Sequence, residues 1–476
     1  MKIYKFISII TVLVLTFSSC EDVLDVLPSD KVDTKQAFSR IEDFEFAVDG
    51  LYDLIRNDGY YESFVLYPDI MSDNIIQNFD GRKSHQTLYT WKYTSLTSDI
   101  EVFWANAYKT IHGANMILER IDAFENGTDK QKNAIKGEAL AIRALVHFDL
   151  VRYFGKPVHS SASSPGVPYM LKVENGKPAR NTVAQCYDNL IADLKEAESL
   201  LNGSGRSNVY FTSDAVAALL ARVYLTKKDY PNAIIYASKV ISNTSYELTS
   251  TSDFDGMWKK DNTGKEVILK LRCTDKEGPR IGGLYGVKES SEFVPTFEFF
   301  SMFADEDVRK EAYFTLTEIP STSRKHNFMT KYINREGVED GLNLSDIVIL
   351  RLAEQYLIRA EAYAESDDDP NALIDLDAIR KNRYIDFVTG SETGQALKDA
   401  IAKERRLELA FEGHRWFDLK RKDMDVIRNA DYGHEHDGSG TKSTNTYLPV
   451  SDIHRLWPIP HAERAINPNC DQNDGY

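Results

Sequence analysis

Over most of this chain apolar residues recur every three or four positions, the period of amphipathic helices, and in two long stretches that period is lost. From Ile100 it runs through Trp104, Tyr108, Ile111, Asn115 and Leu118. From Ala134 to Phe154 the chain is apolar nearly all round, as a buried central helix would be, and Gly155 and Pro157 stop it. Thr182 and Gln185 make a capping-box signature that opens a helix with Val183, Tyr187, Leu190, Leu194, Ala197 and Leu201 on one face. Residues 21–60 read as an acidic tether leading into a helix whose apolar face includes Phe46, Leu51 and Leu54. Near the end, KERRLELAFEGHRWFDLKR over Lys403–Arg421 predicts one helix with Leu407, Ala410, Phe411, His414 and Phe417 as its stripe, and Leu409 and Trp416 on another side. A helix apolar on two sides is sandwiched, so its charges must pair. Glu408 and Glu412 lie within helix-face reach of Arg405 or Arg415, and arginine suits part-buried pairing, so Glu408, Glu412 and Arg415 are expected as structural ion-pair residues.

One pattern occurs twice. Residues 219–241 read LLARVYLTKKDYPNAIIYASKVI and residues 357–379 read LIRAEAYAESDDDPNALIDLDAI. At an offset of 139 residues Tyr224 falls over Tyr363, Ala221 over Ala360, Pro231 over Pro370, Asn232 over Asn371 and Ala233 over Ala372. Small residues let two antiparallel helices approach, and each proline sits where a second helix begins. Both stretches look like single tetratricopeptide hairpins, not a tandem array, because the offset is far from that repeat's usual period. The fold class expected is mainly α, with helical hairpins, few short strands and a loop-rich middle insertion.

The period fails first over Tyr60–Asp99 and again over residues 243–346, except around Phe297–Phe314, with a short strand expected at Glu266–Leu271. Both stretches mix aromatics with Asn, Asp and Gly, which is loop composition, and long irregular insertions are usually functional. Residues 430–450 read as a polar loop, and the end as a proline-punctuated tail docked on the body.

Composition sharpens this picture. Of 476 residues 11% are aromatic, a surplus that needs a use, and the net charge is −16, which argues against nucleic acid or an anionic membrane surface as a direct partner. Cys186, Cys273 and Cys470 are scattered and read as buried small hydrophobes. At the N-terminus Lys2 and Lys5 precede an apolar run from Phe6 to Phe17 and then Ser18-Ser19-Cys20, the parts of a secretory signal over residues 1–19, too short to span a bilayer. Small residues before Cys20 look like a lipoprotein cleavage site, with Cys20 the acylated first residue, and acyl chains anchor stably when more than one is present. Glu21-Asp22 resembles an acidic signal for export to the outside of the outer membrane.

Several constellations invite catalytic or metal readings. Paired carboxylates on the 403–421 helix, Glu408 and Glu412, can serve sugar hydrolysis as acid and nucleophile, but a carboxylate flanked by arginines stays ionised and a general acid needs the opposite shift. His434-Glu435-His436-Asp437 lies in a polar loop without fixed spacing and reads as solvated, and Asp367-Asp368-Asp369 lacks the ligand spacing of a calcium loop. No Ser/His/Asp or Cys/His set is singled out. The expectation is no catalytic residues, no metal and no cofactor.

Six segments taken in order then resemble the RagB/SusD family of Bacteroidetes: the lipoprotein signal, EALAIRALVHFDLVRYFG, ARVYLTKKDYPNAI, RLAEQYLIRAEAYAE, ERRLELAFEGHRWFDLKR and PIPHAERAINPNCDQNDGY. Cys470 and Asp474 depart from the usual tail residues. The resemblance implies a SusD-like fold with four tetratricopeptide-like units, no catalysis, and a cell-surface lipoprotein of the outer membrane that binds a glycan and caps a SusC-like TonB-dependent channel. It divides the chain into residues 20–242, a loop-rich ligand face at 243–346 and a C-terminal region at 347–476. Family ligand faces are built from loops before the early helices and from the middle insertion. Aromatic rings that stack on sugars are therefore expected at Trp91, Tyr93, Trp258 and Tyr285, with Asn78, Asp80 and Arg82 as polar partners.

Overall fold

Helices α1 (Ile41–Arg56), α2 (Ser63–Met71), α3 (Ser98–Ile121), α4 (Asp129–Phe154) and α5 (Val183–Leu200) build the N-terminal half of the protein. The computed structural model describes residues 37–476 except 204–205, 261–263, 275–280, 286–290, 334–335 and 337–343. The leader and Cys20 lie outside the described residues. About half of the chain is helical and its strands are short. No helix among the described residues is long and apolar enough to cross a membrane.

Every residue of α4 from Gly137 to Phe154 is buried, because α1, α3 and α5 pack around it. Buried charges cost several kcal/mol unless paired and hydrogen-bonded, and those of α4 are. Arg143 forks onto Asp193 at 2.7 and 2.8 Å, Glu138 accepts from Tyr52 Oη and Arg206, and Asp149 accepts from Tyr60 Oη. The carbonyls that close α4 have no partners within the helix. Lys420 Nζ donates to the carbonyls of Arg152 and Gly155, and Asn473 Nδ2 donates to that of Phe154. The tail is held down here: Trp457 stacks on Tyr153 at 3.8 Å, and Arg180 grips Asn473. On α1 the buried residues are Ile41, Phe44, Val48, Leu51, Tyr52 and Ile55. Phe46, expected on the apolar face, points to solvent, since it lies out of phase with that stripe.

The two hairpins are α6 (Ser213–Lys227) with α7 (Tyr230–Ile241), and α8 (Leu352–Glu365) with α9 (Asp369–Lys381). Their turns match atom for atom. Lys228 and Asp367 take left-handed backbones at φ 59° and 60°; Asp229 N and Asp368 N donate to the carbonyls of Tyr224 and Tyr363, both at 2.9 Å. Asp229 and Asp368 then cap the second helices through Asn232 N and Asn371 N, ahead of a proline in the first turn. Asp368 is therefore a cap. Although distant in sequence, the hairpins stack directly, α7 on α8. Arg222 crosses from α6 to fork onto Glu354 of α8, and Arg359 of α8 donates to Ser238 of α7.

The stretch expected as one helix over 403–421 is two, α10 (Gly394–Glu408) and α11 (Arg415–Arg421). Phe411 at φ 64° and Gly413 at φ 79° break it, and a side chain at Gly413 would put a Cβ 3.1 Å from the carbonyl oxygen of Phe64. The break aims Glu412 inward. Its partners, and those of Glu408, are remote rather than the local arginines expected. Arg309, Arg351 and Arg383 all reach Glu408, and Lys331 and Arg351 hold Glu412 at 2.7 and 2.8 Å. Arg405 pairs with Asp418 at 2.9 Å, and Arg415 forks onto Asp73 at 2.7 Å. Burial opposes ionisation of Glu408, but Arg383, Arg351 and Arg309 outweigh it and keep the carboxyl far below the usual range. A sealed, permanently ionised carboxylate cannot donate a proton, so the hydrolase reading of Glu408 and Glu412 has no chemistry here.

Residues 243–346 are more regular than their composition predicted. Strand β1 (Ile75–Gln77) pairs antiparallel with β3 (Phe293–Pro295), β2 (Val267–Leu271) with β6 (Ile347–Arg351), and β4 (Phe314–Ile319) with β5 (Arg324–Met329) as a hairpin. The hairpin escaped the sequence reading because β4 is buried only at its two ends and lacks the two-residue alternation of a half-buried strand.

Candidate ligand-binding surface

Pairing of β1 with β3 fixes where the next turn goes. Asn78 is fully buried: its backbone N–H and its Nδ2 donate to the carbonyls of Glu292 and Ser291, and its side-chain oxygen accepts from Asp80 N. Gly81 must be glycine, because a Cβ there would lie 2.8 Å from Glu292 Cα. Held between these points, the turn lifts Phe79 out of the body with 51% of its surface exposed.

Charges surround that ring. Arg324, at the start of β5, has its guanidinium 5.4 Å from the ring centre and donates from Nη1 to both oxygens of Asp80, at 2.9 and 3.2 Å. Lys83 Nζ lies 5.6 Å from the ring, and Arg82, the preceding residue of the turn, is exposed. Glu435 approaches Arg324 at 3.9 Å. An exposed aromatic face flanked by a carboxylate and guanidinium groups suits a ligand with a flat apolar side and peripheral hydroxyls. Two clefts, about 490 and 390 Å³, lie elsewhere: one by Asp49, Arg56 and Tyr210, the other by Lys156, Ser160 and Arg455.

Of the residues expected to touch ligand, Asp80 and Arg82 sit at this surface and Asn78 shapes it from below. The four expected rings do not. Trp91, 6% exposed, donates from its indole to the Met71 carbonyl and carries Arg428 on one face at 4.1 Å. Tyr93 is buried and donates to the His454 carbonyl. Trp258 is buried, with Lys331 Nζ 4.0 Å from its ring. Tyr285 is buried against Tyr332 and Phe411, and its hydroxyl donates to the Val65 carbonyl. Their aromatic surplus goes into the core: rings in irregular segments were needed to fill space between helices, and loop composition does not say which way a ring faces. Phe79 carries a signal that was available, an aromatic alone among polar residues at the tip of an Asn-Phe-Asp-Gly turn. Arg324 carries none.

The 430–450 loop is not simply solvated. His436 N donates to the Lys325 carbonyl at 2.9 Å, Asn327 Nδ2 donates to the His436 carbonyl, and His326 Nδ1 lies 2.9 Å from the His434 carbonyl, so residues 434–436 lie along β5. His434 is buried and its ring is 6.0 Å from Phe79, while His436 is half-buried and Asp437 exposed.

Residues 301–476 match the family model described as the SusD family, and residues 22–225 match the model described as starch-binding associating with outer membrane. The SusD-like protein P38 of Formosa agariphila is 23% identical over all of both chains, and the starch-binding protein SusD of Bacteroides thetaiotaomicron is 23% identical over 98% of each. A SusD superfamily protein of Bacteroides vulgatus superposes with a TM-score of 0.82 at 28% identity, over 92% of this chain and 100% of that one. With both ends matched by family models and the whole fold shared, this chain belongs to the SusD/RagB family.

Proposed function

We propose that this protein is a lipid-anchored nutrient-binding protein on the outside of the outer membrane, which captures a glycan at the Phe79 surface and passes it to a SusC-like TonB-dependent transporter. One observation carries the ligand assignment: a half-exposed ring at Phe79 with the Asp80–Arg324 pair at its edge. A pyranose lays its C–H face on such a ring while its hydroxyls meet the carboxylate and the guanidinium. A relative named for starch binding and a family model named for outer-membrane association support the same reading. Cys20, after Ser18-Ser19 and before Glu21-Asp22, supplies the anchor. Residues 20–242 and 347–476 are the scaffold on this reading, and 243–346 with the 78–85 turn forms the ligand face. Binding is favoured over hydrolysis in this reading, since the paired carboxylates that the sequence offered for hydrolysis, Glu408 and Glu412, are sealed by arginines.

Titration of the full-length protein with a glycan panel, together with isolation of its membrane complex, tests this. At least one glycan or glycopeptide should bind, a large β-barrel transporter should co-purify, and Cys20→Ala should abolish acyl labelling. A protein that binds no glycan and forms no such complex contradicts the proposal.

A further inference from the structure

Beneath Phe79 three side chains converge from three separate segments: Asp80 from the turn after β1, His326 from β5 and His434 from the loop along β5. One candidate donor atom from each lies within 4.8 Å of the other two. His326 Nε2 is 3.7 Å from Asp80 Oδ2, and the two imidazoles are stacked with centres 5.4 Å apart. His326 is fully buried and His434 is 3% exposed, yet Nε2 of each has no hydrogen-bond partner among the described residues. Two orphaned imidazole nitrogens, sealed from solvent beside a carboxylate, are a costly arrangement unless something occupies the space between them.

We propose that Asp80, His326 and His434 bind a divalent transition-metal ion of the zinc class. Two nitrogens and one carboxylate oxygen make a donor set for borderline ions, not for calcium or magnesium, and three protein ligands leave a fourth position for water or another group. The outer partners are already placed. His326 donates from Nδ1 to the His434 carbonyl, which leaves its Nε2 lone pair on the side of the cluster. Arg324 Nη1 fixes the Asp80 carboxylate by donating to Oδ1 at 2.9 Å and to Oδ2 at 3.2 Å, and Oδ2 is the oxygen that faces His326 Nε2, 3.7 Å away. His434 Nδ1 accepts from Thr441 N at 2.8 Å, which puts the ring's proton on Nε2. Coordination through Nε2 requires that proton on Nδ1 instead, so on binding the Thr441 N–H turns away from Nδ1 and the Thr441 carbonyl, 3.4 Å from it, takes its place as acceptor. Tetrahedral coordination at about 2.0–2.2 Å needs donors roughly 3.4 Å apart, so the cluster closes by about 1 Å on binding. The ion would join the Phe79 turn, the β4–β5 hairpin and the 434 loop. The metal site stands whether or not Phe79 meets a sugar.

The test uses the full-length protein stripped with a chelator, then titrated with Zn²⁺ alone by calorimetry and with Co²⁺ by visible absorbance. The expected result is one tight equivalent of Zn²⁺, the intense d–d bands of a four-coordinate Co²⁺ site, and a higher melting temperature with Zn²⁺. His434→Ala and Asp80→Asn should each remove the Co²⁺ bands and weaken Zn²⁺ binding by at least about tenfold. His434 sits in a loop, so its variant keeps the test usable even where His326→Ala fails to fold. Wild-type protein without a tight equivalent overturns the proposal, as does Zn²⁺ affinity left unchanged in His434→Ala and Asp80→Asn.

Discussion

Arg351 grips Glu408 twice, once through the carboxylate and once through the main-chain carbonyl, which Nη2 reaches at 2.6 Å. The same guanidinium spans to Glu412 at 2.8 Å and to Glu266 at 3.0 Å, so one side chain at the end of β6 ties the break between α10 and α11 to the β2–β6 pair. Removing the charge of Glu408 leaves three buried arginines short of a counter-ion. Glu408→Gln should cost about 3–5 kcal/mol of stability, read as a fall in the denaturation midpoint. The Phe79 surface of the folded fraction should keep its ligand affinity, whereas a catalytic role would leave stability intact and remove turnover.

Two buried carboxyls pull stability in opposite directions with pH. Glu361 is buried, which opposes ionisation, but Arg421 and Lys422 outweigh that and hold its pKa down to about 2. Its folded value is below its unfolded one, so its contribution is present above the ordinary 4.5 and is lost as pH falls towards 2. Asp69 is the reverse: burial raises it to about 7 against the hydrogen bond from Asn74. Its contribution is full below the ordinary 3.8 and is lost as pH rises towards 7. Asp69→Asn should therefore raise the melting temperature at pH 8 more than at pH 5, and Glu361→Gln should flatten the acid limb of the stability profile. Parallel profiles for wild type and both variants would show these groups to be uncoupled from folding.

The hairpin turns offer paired tests of opposite sign. Asp367 adopts a left-handed backbone that costs an L-residue about 1–2 kcal/mol and glycine little, so Asp367→Gly should stabilise by up to about 1 kcal/mol once glycine's greater unfolded entropy is counted. Asp368 caps the next helix, and Asp368→Ala should destabilise by about 1 kcal/mol. Chemical denaturation of the two single variants checks both signs.

Helix periodicity and cap chemistry made the scaffold legible from sequence: α4, α5 and both hairpins lie where apolar spacing, capping boxes and the Asp-x-Pro-Asn turns place them. Where the period misled, two left-handed residues outweighed it. Gly413 fits a close approach to Phe64 and, with Phe411, splits one long stripe into two helices, which changes every ion-pair partner assigned from helix-face spacing. The ligand surface was harder to read because facing is a tertiary property. Trp91 and Phe79 come from the same aromatic-rich stretch, but Arg428, far along the chain, helps to bury the first, whereas Arg324 and Lys83 flank the second and leave it half exposed. His434 shows the same limit in reverse: a polar sequence neighbourhood hid a buried imidazole.

Calorimetric titration of wild type and Phe79→Ala with the glycan that binds best in the panel decides whether Phe79 is the sugar platform, with Trp258→Phe as a buried-ring control. Loss of a stacking ring at the platform should weaken binding by roughly tenfold or more, corresponding to about 1.4 kcal/mol or more, while the control binds like wild type. Equal affinity in wild type and Phe79→Ala would place the sugar elsewhere and contradict the account.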